Sequence, residues 1–179
     1  MSHLVKTAIL LIMISFQLSV SNTFGQAPAK PYNESQDARA DLKKALEAAK
    51  KENKHVLIQF GGNWCPWCLR FHAMVNGTPK LDSLMKENYV YLLINVPHEK
   101  LKRDNSLFSE FGYPNRFGFP VFVILDKNGN RLNTQDSDSF EHPDPNVKGY
   151  DTTKVARFLT MWTPKALAPA TYQTKPVSR

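Results

Sequence analysis

The chain is 179 residues long, carries 23 basic against 16 acidic side chains for a formal charge of +7, and contains two cysteines. The basic residues are spread out, with Lys43, Lys44, Lys50, Lys51 and Lys54 near one predicted helix and Lys100, Lys102 and Arg103 in a later loop. Without an arginine-rich tract or aromatic–basic interleaving, they describe a solvated surface and exclude a nucleic-acid partner.

Residues 1–25 read as an export signal rather than as part of the fold. Lys6 gives a basic start, residues 8–16 are almost wholly apolar, and Ser15, Gln17 and Ser19 dilute the run before it reaches the roughly 20 residues that span a bilayer. Thr23 and Gly25 are small residues that suit cleavage after Gly25, with Ser21 as a second site. An uncleaved amino-terminal anchor is the one route by which the chain would meet a membrane. No cysteine lies near the cleavage region, so a lipid-modified terminus is excluded. Residues 26–36 form a Pro- and Ala-containing lead-in, expected to be mobile through Tyr32. A single domain over 37–163 follows, long enough to bury a core without disulfide staples, and then a flexible tail over 164–179.

Within the domain, Ala38, Leu42, Ala45, Leu46 and Ala49 recur at helical spacing between Lys and Glu, which predicts an amphipathic helix ending before Asn53. Val56-Leu57-Ile58-Gln59-Phe60 is β-branched and aromatic with no breaker and reads as a buried strand. Gly61-Gly62-Asn63 leads into Trp64-Cys65-Pro66-Trp67-Cys68, and a helix begins at Cys65 that Asn76-Gly77 closes. Thr78-Pro79 opens another helix, Thr as cap and Pro in its first turn, with Leu81, Leu84 and Met85 inward.

Residues 89–96 form a second strand and residues 106–111 a short helix. Phe117-Gly118-Phe119-Pro120 precedes a third strand over 121–125, and Asp126-Lys127-Asn128-Gly129-Asn130 is a hairpin turn returning through Arg131-Leu132. Residues 133–150 read as a long loop; Asp151 or Thr152 then caps a last helix with Val155, Phe158, Leu159 and Trp162 on one side. Strands separated by helices should run parallel, and the final hairpin adds an antiparallel edge. The expected architecture is α/β, a mixed sheet of about four strands with helices on both faces.

The two cysteines carry the chemistry. At the start of a helix, Cys65 meets unpaired N–H groups and the positive end of the helix dipole, which stabilise a thiolate, and a thiolate is the nucleophile of disulfide exchange. Cys68 comes one turn later, in reach of a mixed disulfide on Cys65. A purely structural bridge is the competing reading. Closing so short a loop contributes roughly 2 kcal/mol in the chain-entropy model, against about 4.7 for a loop of about 100 residues, so it would be a poor staple.

Taken together, Phe60-Gly61-Gly62-Asn63-Trp64-Cys65-Pro66-Trp67-Cys68, Gly118-Phe119-Pro120 before a strand and the Lys127-Asn128-Gly129 hairpin resemble the thioredoxin superfamily from about Asp37 to Trp162. Within it the chain looks like the exported thioredoxin-like proteins with a Trp-Cys-Pro-Trp-Cys site. The resemblance implies a thiol–disulfide oxidoreductase with Cys65 as attacking and Cys68 as resolving thiol. It also implies a cis Pro120 beside them, and a client site bordered by Trp64, Pro66, Trp67, Phe119 and Pro120. It implies no cofactor beyond the dithiol, and as partners protein thiols and disulfides with a second redox protein that recharges the pair.

Two positions depart from thioredoxin proper: Gln59 stands where it has a buried carboxylate, and Ala73 where it has a helix proline. Reaction direction therefore does not carry over. His72, one turn after Cys68, is the nearby group whose titration range suits proton transfer. Cys65, Cys68 and His72, with Met74 as a weak addition, also make a copper or other soft-metal delivery site the alternative function, and a non-catalytic adaptor is a further one. Asn33-Glu34-Ser35 and Asn76-Gly77-Thr78 are sequons that matter only in a eukaryotic secretory pathway, and Pro176-Val177-Ser178-Arg179 carries no retention signal. The expected compartment is the bacterial periplasm, with secretion or a secretory-pathway lumen as alternatives.

Overall fold

A computed structural model describes residues 30–169; the signal expected over 1–25 and residues 170–179 of the tail expected over 164–179 lie outside them, while residues 164–169 of that tail form turns in which Thr163 accepts the Ala166 and Leu167 N–H groups. The elements in order are α1 (Ala38–Glu52), β1 (His55–Gly61), α2 (Pro66–Gly77), α3 (Pro79–Asn88), β2 (Tyr89–Asn95), α4 (Asn105–Glu110), β3 (Val121–Leu125), β4 (Arg131–Asp136) and α5 (Thr152–Met161). Asp37 starts α1 by accepting the N–H groups of Arg39 and Ala40, and Asn53, left-handed at φ 53°, ends it by returning its N–H to Ala49. Asp151 caps α5 in the same way. Thr78 holds the cap position of α3 without the side-chain bond expected of it; it also serves as the C-cap of α2, donating its N–H to the Met74 carbonyl.

The four strands lie in the order β2-β1-β3-β4. β1 and β2 are parallel, as their helical crossover requires, and β3 runs antiparallel to β1. The hairpin thus docks beside β1, so β1 and β3 fill the centre and are buried along their whole length. Their alternation divides the core. Val56, Ile58 and Phe60 face a cluster with α1 and α4, while Leu57, Phe122 and Ile124 face α2, α3 and α5. Gln59 shares the parity of Leu57 and therefore points toward α2, the helix that carries the cysteines.

The loop expected over 133–150 is corrected at both ends. β4 continues to Asp136, paired with β3 from Val121↔Asp136 onward. Its six residues are exposed or half-buried, so an edge strand held by backbone pairing left no apolar alternation to read. Phe140 and Tyr150 are buried beyond it; a bridge pairs Glu141 with Tyr150, and the Tyr150 hydroxyl donates to the Trp67 carbonyl of α2 at 3.3 Å.

Candidate active site

β1 delivers the chain to the site through two glycines with no room for a side chain. A Cβ on Gly61 would stand 2.5 Å from Cys68 Sγ and 2.7 Å from the Tyr32 hydroxyl, and one on Gly62 would meet the Trp64 indole. The Gly62 carbonyl accepts the Cys65 N–H at 3.1 Å, closing a turn. Pro66 occupies the first position of α2, where the missing N–H costs nothing. Cys65 is therefore the N-cap, and its Sγ accepts the Cys68 N–H at 3.2 Å. The cysteines are joined as a disulfide with Cα atoms 5.2 Å apart. Cys68 is wholly enclosed, whereas Cys65 retains 4% of its surface.

Around the Cys65 sulfur the surroundings are aromatic. The Phe119–Pro120 peptide is cis, and the Phe119 carbonyl oxygen lies 3.6 Å from Cys65 Sγ. Trp64 is 38% exposed and anchored by its indole N–H, donated to the Val96 carbonyl at 2.8 Å. Its ring meets Phe119 edge-on at 5.9 Å. Trp67 packs edge-on against Tyr150 at 5.2 Å, and Pro66 is exposed between the two tryptophans. The structure brings Trp64, Pro66, Trp67, Phe119 and Pro120 together around the disulfide. It adds two residues that the sequence did not single out for the site. The His98 ring sits 4.9 Å from that of Trp64, and the Arg103 guanidinium lies 5.2 Å over Phe119 while donating to the Pro97 and His98 carbonyls.

Beneath Cys68 the surroundings are polar and dry. Gln59 is fully buried, and its amide N–H groups go to the Cys68 carbonyl at 3.0 Å and the Tyr32 hydroxyl at 2.5 Å. Its carbonyl accepts the hydroxyl of Tyr91. Burial pushes both tyrosines above the ordinary phenol range, so each keeps its proton.

Tyr32 corrects the mobile lead-in. It is 3% exposed, and its backbone exchanges two hydrogen bonds with the Asn63 carboxamide, N–H to Oδ1 at 3.1 Å and Nδ2 to C=O at 2.8 Å. Gln36 repeats the device at the edge of β2, donating to the Leu93 carbonyl and accepting from the Asn95 N–H. Two side-chain amides thus hold the segment from 30 to 36 against the sheet. Neither gives a periodic signal; an aromatic residue inside a Pro- and Ala-containing lead-in was the only hint.

His72 goes elsewhere. Its ring stacks on Tyr91 at 6.2 Å, and burial lowers its pKa from the usual 6.5. Among the described residues no hydrogen bond joins it to either sulfur, and no three His, Cys, Asp or Glu side chains converge as metal ligands would, so Cys65, Cys68 and His72 are not assembled as a set.

Residues 37–127, half of the chain, match the model of a family described as thioredoxin-like. The chain belongs to that family. Among solved structures this thioredoxin-like protein is similar to the disulphide isomerase from Xylella fastidiosa Temecula1, at 26% identity and a TM-score of 0.63, over 75% of this chain and 97% of that one. It is also similar to the germline-specific thioredoxin Deadhead from Drosophila melanogaster, at 21% identity and a TM-score of 0.47, over 70% and 95% of the two chains. A third likeness is to the oxidised carboxy-terminal domain of DsbD from Neisseria meningitidis, at 19% identity and a TM-score of 0.46, over 69% and 94%. No curated protein sequence matches the chain.

Proposed function

We infer that the protein is a thiol–disulfide oxidoreductase acting on protein disulfides, exported by cleavage of residues 1–25 and working in the periplasm. The observation that carries this reading is the cap: Cys65 Sγ receives the Cys68 N–H at the start of α2, beside the Phe119 carbonyl, while Cys68 is enclosed behind it. An N–H aimed at Sγ together with the helix dipole favours the Cys65 thiolate over the thiol. The likeness to the Xylella disulphide isomerase supports exchange chemistry.

In the reducing direction the Cys65 thiolate attacks one sulfur of a client disulfide. A Cys65–client bond forms, and the other client sulfur leaves with the electron pair and takes up a proton. The Cys68 thiolate then attacks Cys65 Sγ, forming the disulfide seen here and expelling the second client thiolate. The client gains two electrons and the protein loses two. The reverse sequence oxidises a client. Trp64, Pro66, Trp67, Phe119 and Pro120 form the surface on which the client lies. A second redox protein resets the pair, and no cofactor enters the cycle.

Replacing Cys68 with Ala should leave the first step intact and accumulate mixed disulfides on Cys65, read by mass spectrometry. Cys65→Ala should give neither exchange nor trapping. Trapping by Cys65→Ala instead would reverse the two roles, and trapping by neither variant would remove the oxidoreductase reading.

A further inference from the structure

The amide of Gln59 has only one orientation that fits its neighbours. The Cys68 carbonyl accepts and cannot donate, so Nε2 must face it, 3.0 Å away, and Oε1 must face the Tyr91 hydroxyl. The second Nε2 proton then points at the Tyr32 oxygen at 2.5 Å. The Tyr32 hydroxyl is an acceptor in that bond, and its own proton is left over. Among the described residues no oxygen or nitrogen receives it. A sulfur is its neighbour: the Tyr32 oxygen and Cys68 Sγ lie 2.7 and 2.5 Å from the same point, the place a Cβ on Gly61 would take, and are not hydrogen-bonded while Cys68 is held in the disulfide. Tyr32, Cys65 and Cys68 form one packed cluster.

We propose that the Tyr32 hydroxyl is the hydrogen-bond donor that holds Cys68 as a thiolate whenever the Cys65–Cys68 bond is open. The proposal rests on the dithiol reading above. When a client thiolate attacks Cys65 Sγ, the Cys65–Cys68 bond breaks and its electron pair moves onto Cys68, a sulfur with no access to water. An unpaired charge there is costly. The Tyr32 proton turns to it without crossing over, because a phenol is a weaker acid than a thiol by about 1.5 pKa units, and burial raises Tyr32 further. Gln59, donating to the phenol oxygen, polarises the O–H and strengthens the bond. In the reducing direction the same contact lowers the cost of the Cys68 thiolate that attacks Cys65 Sγ, its proton passing to buffer. Tyr32 is a donor and never a base, so it offsets the missing carboxylate at Gln59 by a different device.

The test uses the full reduced chain mixed with dithio-bis-nitrobenzoate in a stopped flow. Attack by Cys65 releases one thionitrobenzoate, and attack by Cys68 on the resulting mixed disulfide releases the second. With Tyr32→Phe the first phase should be unchanged. The second should slow about fivefold at neutral pH, and its pH midpoint should rise by about one unit. Those sizes follow from losing a bond to a charged sulfur, partly offset by the greater nucleophilicity of a more basic thiolate. 3-Fluorotyrosine introduced at position 32, a more acidic phenol on the same ring, should lower the midpoint, and it serves if the Phe variant does not fold. A second phase whose midpoint is the same in the variants as in the parent, or a first phase slowed to the same extent, would overturn the proposal and leave Tyr32 as packing. Absence of the first phase from the parent protein would instead sink the oxidoreductase reading itself.

Discussion

Cys65 and Cys68 are one helical turn apart and live in different media. Cys65 sits at a rim of rings, Trp64, Trp67 and Phe119, and its sulfur meets backbone: it accepts the Cys68 N–H on one side and lies 3.6 Å from the Phe119 carbonyl oxygen on the other. Cys68 sits on a floor of side chains from distant parts of the chain, buried Tyr32 and Gln59 with half-buried Tyr91 behind them. A rim ring is held by at most one hydrogen bond, as Trp64 is by Val96, whereas the Gln59 amide of the floor makes three. A rim substitution should therefore act on client exchange and a floor substitution on stability as well.

The sharpest contrast comes from Gln59→Leu. It would leave the buried Cys68 carbonyl and Tyr32 oxygen, and the half-buried Tyr91 hydroxyl, without their partner. With each orphaned polar group worth about 1–3 kcal/mol and some relaxation, a loss of about 3 kcal/mol is expected from urea unfolding of the oxidised protein. A neutral result would mean that water enters the floor. Trp64→Phe is its rim counterpart. The ring survives and only the indole N–H to Val96 is lost, so stability should fall by about 1 kcal/mol or less. The rate of mixed-disulfide formation with a protein client should drop more than the rate with a small aromatic disulfide. Equal slowing of both would show that Trp64 serves Cys65 itself rather than the client surface.

How legible each region was follows from the same difference. The rim is local: Cys65 as helix start, Pro66 at the first position and Pro120 before a strand are short-range features, and the structure has them all. The floor is not. The parity of β1 puts Gln59 on the face of Leu57, but beyond the presence of one aromatic residue nothing in residues 26–36 announces that Tyr32 would close the site 27 positions from Gln59. Asn63 reads as a turn residue; its amide in fact pairs with the backbone of Tyr32. β4 was hidden for a related reason, since an edge strand with polar, half-exposed side chains is specified by backbone pairing.

The smallest expected effect concerns His72, which lies against Tyr91 at the border of the floor. Burial lowers its pKa from 6.5, so the folded state binds fewer protons there than the unfolded chain. The sign follows: His72 costs nothing well above pH 6.5 and destabilises as pH falls through that value toward its folded pKa. His72→Gln should flatten the stability profile as pH falls below 6.5, measured by urea unfolding, without altering either exchange phase at neutral pH. An altered exchange midpoint would return His72 to the proton route.

The central claim is that the Cys65–Cys68 bond exists to be broken. Its reduction potential, taken by equilibrating the full chain with glutathione buffers and separating the oxidised and reduced forms after acid quench, tests it directly. Reversible two-electron exchange is expected at a potential above about −300 mV, near −270 mV for a reductant or toward −120 mV for an oxidant. A bond that resists glutathione, with a potential below about −300 mV in the range of structural disulfides, would contradict it.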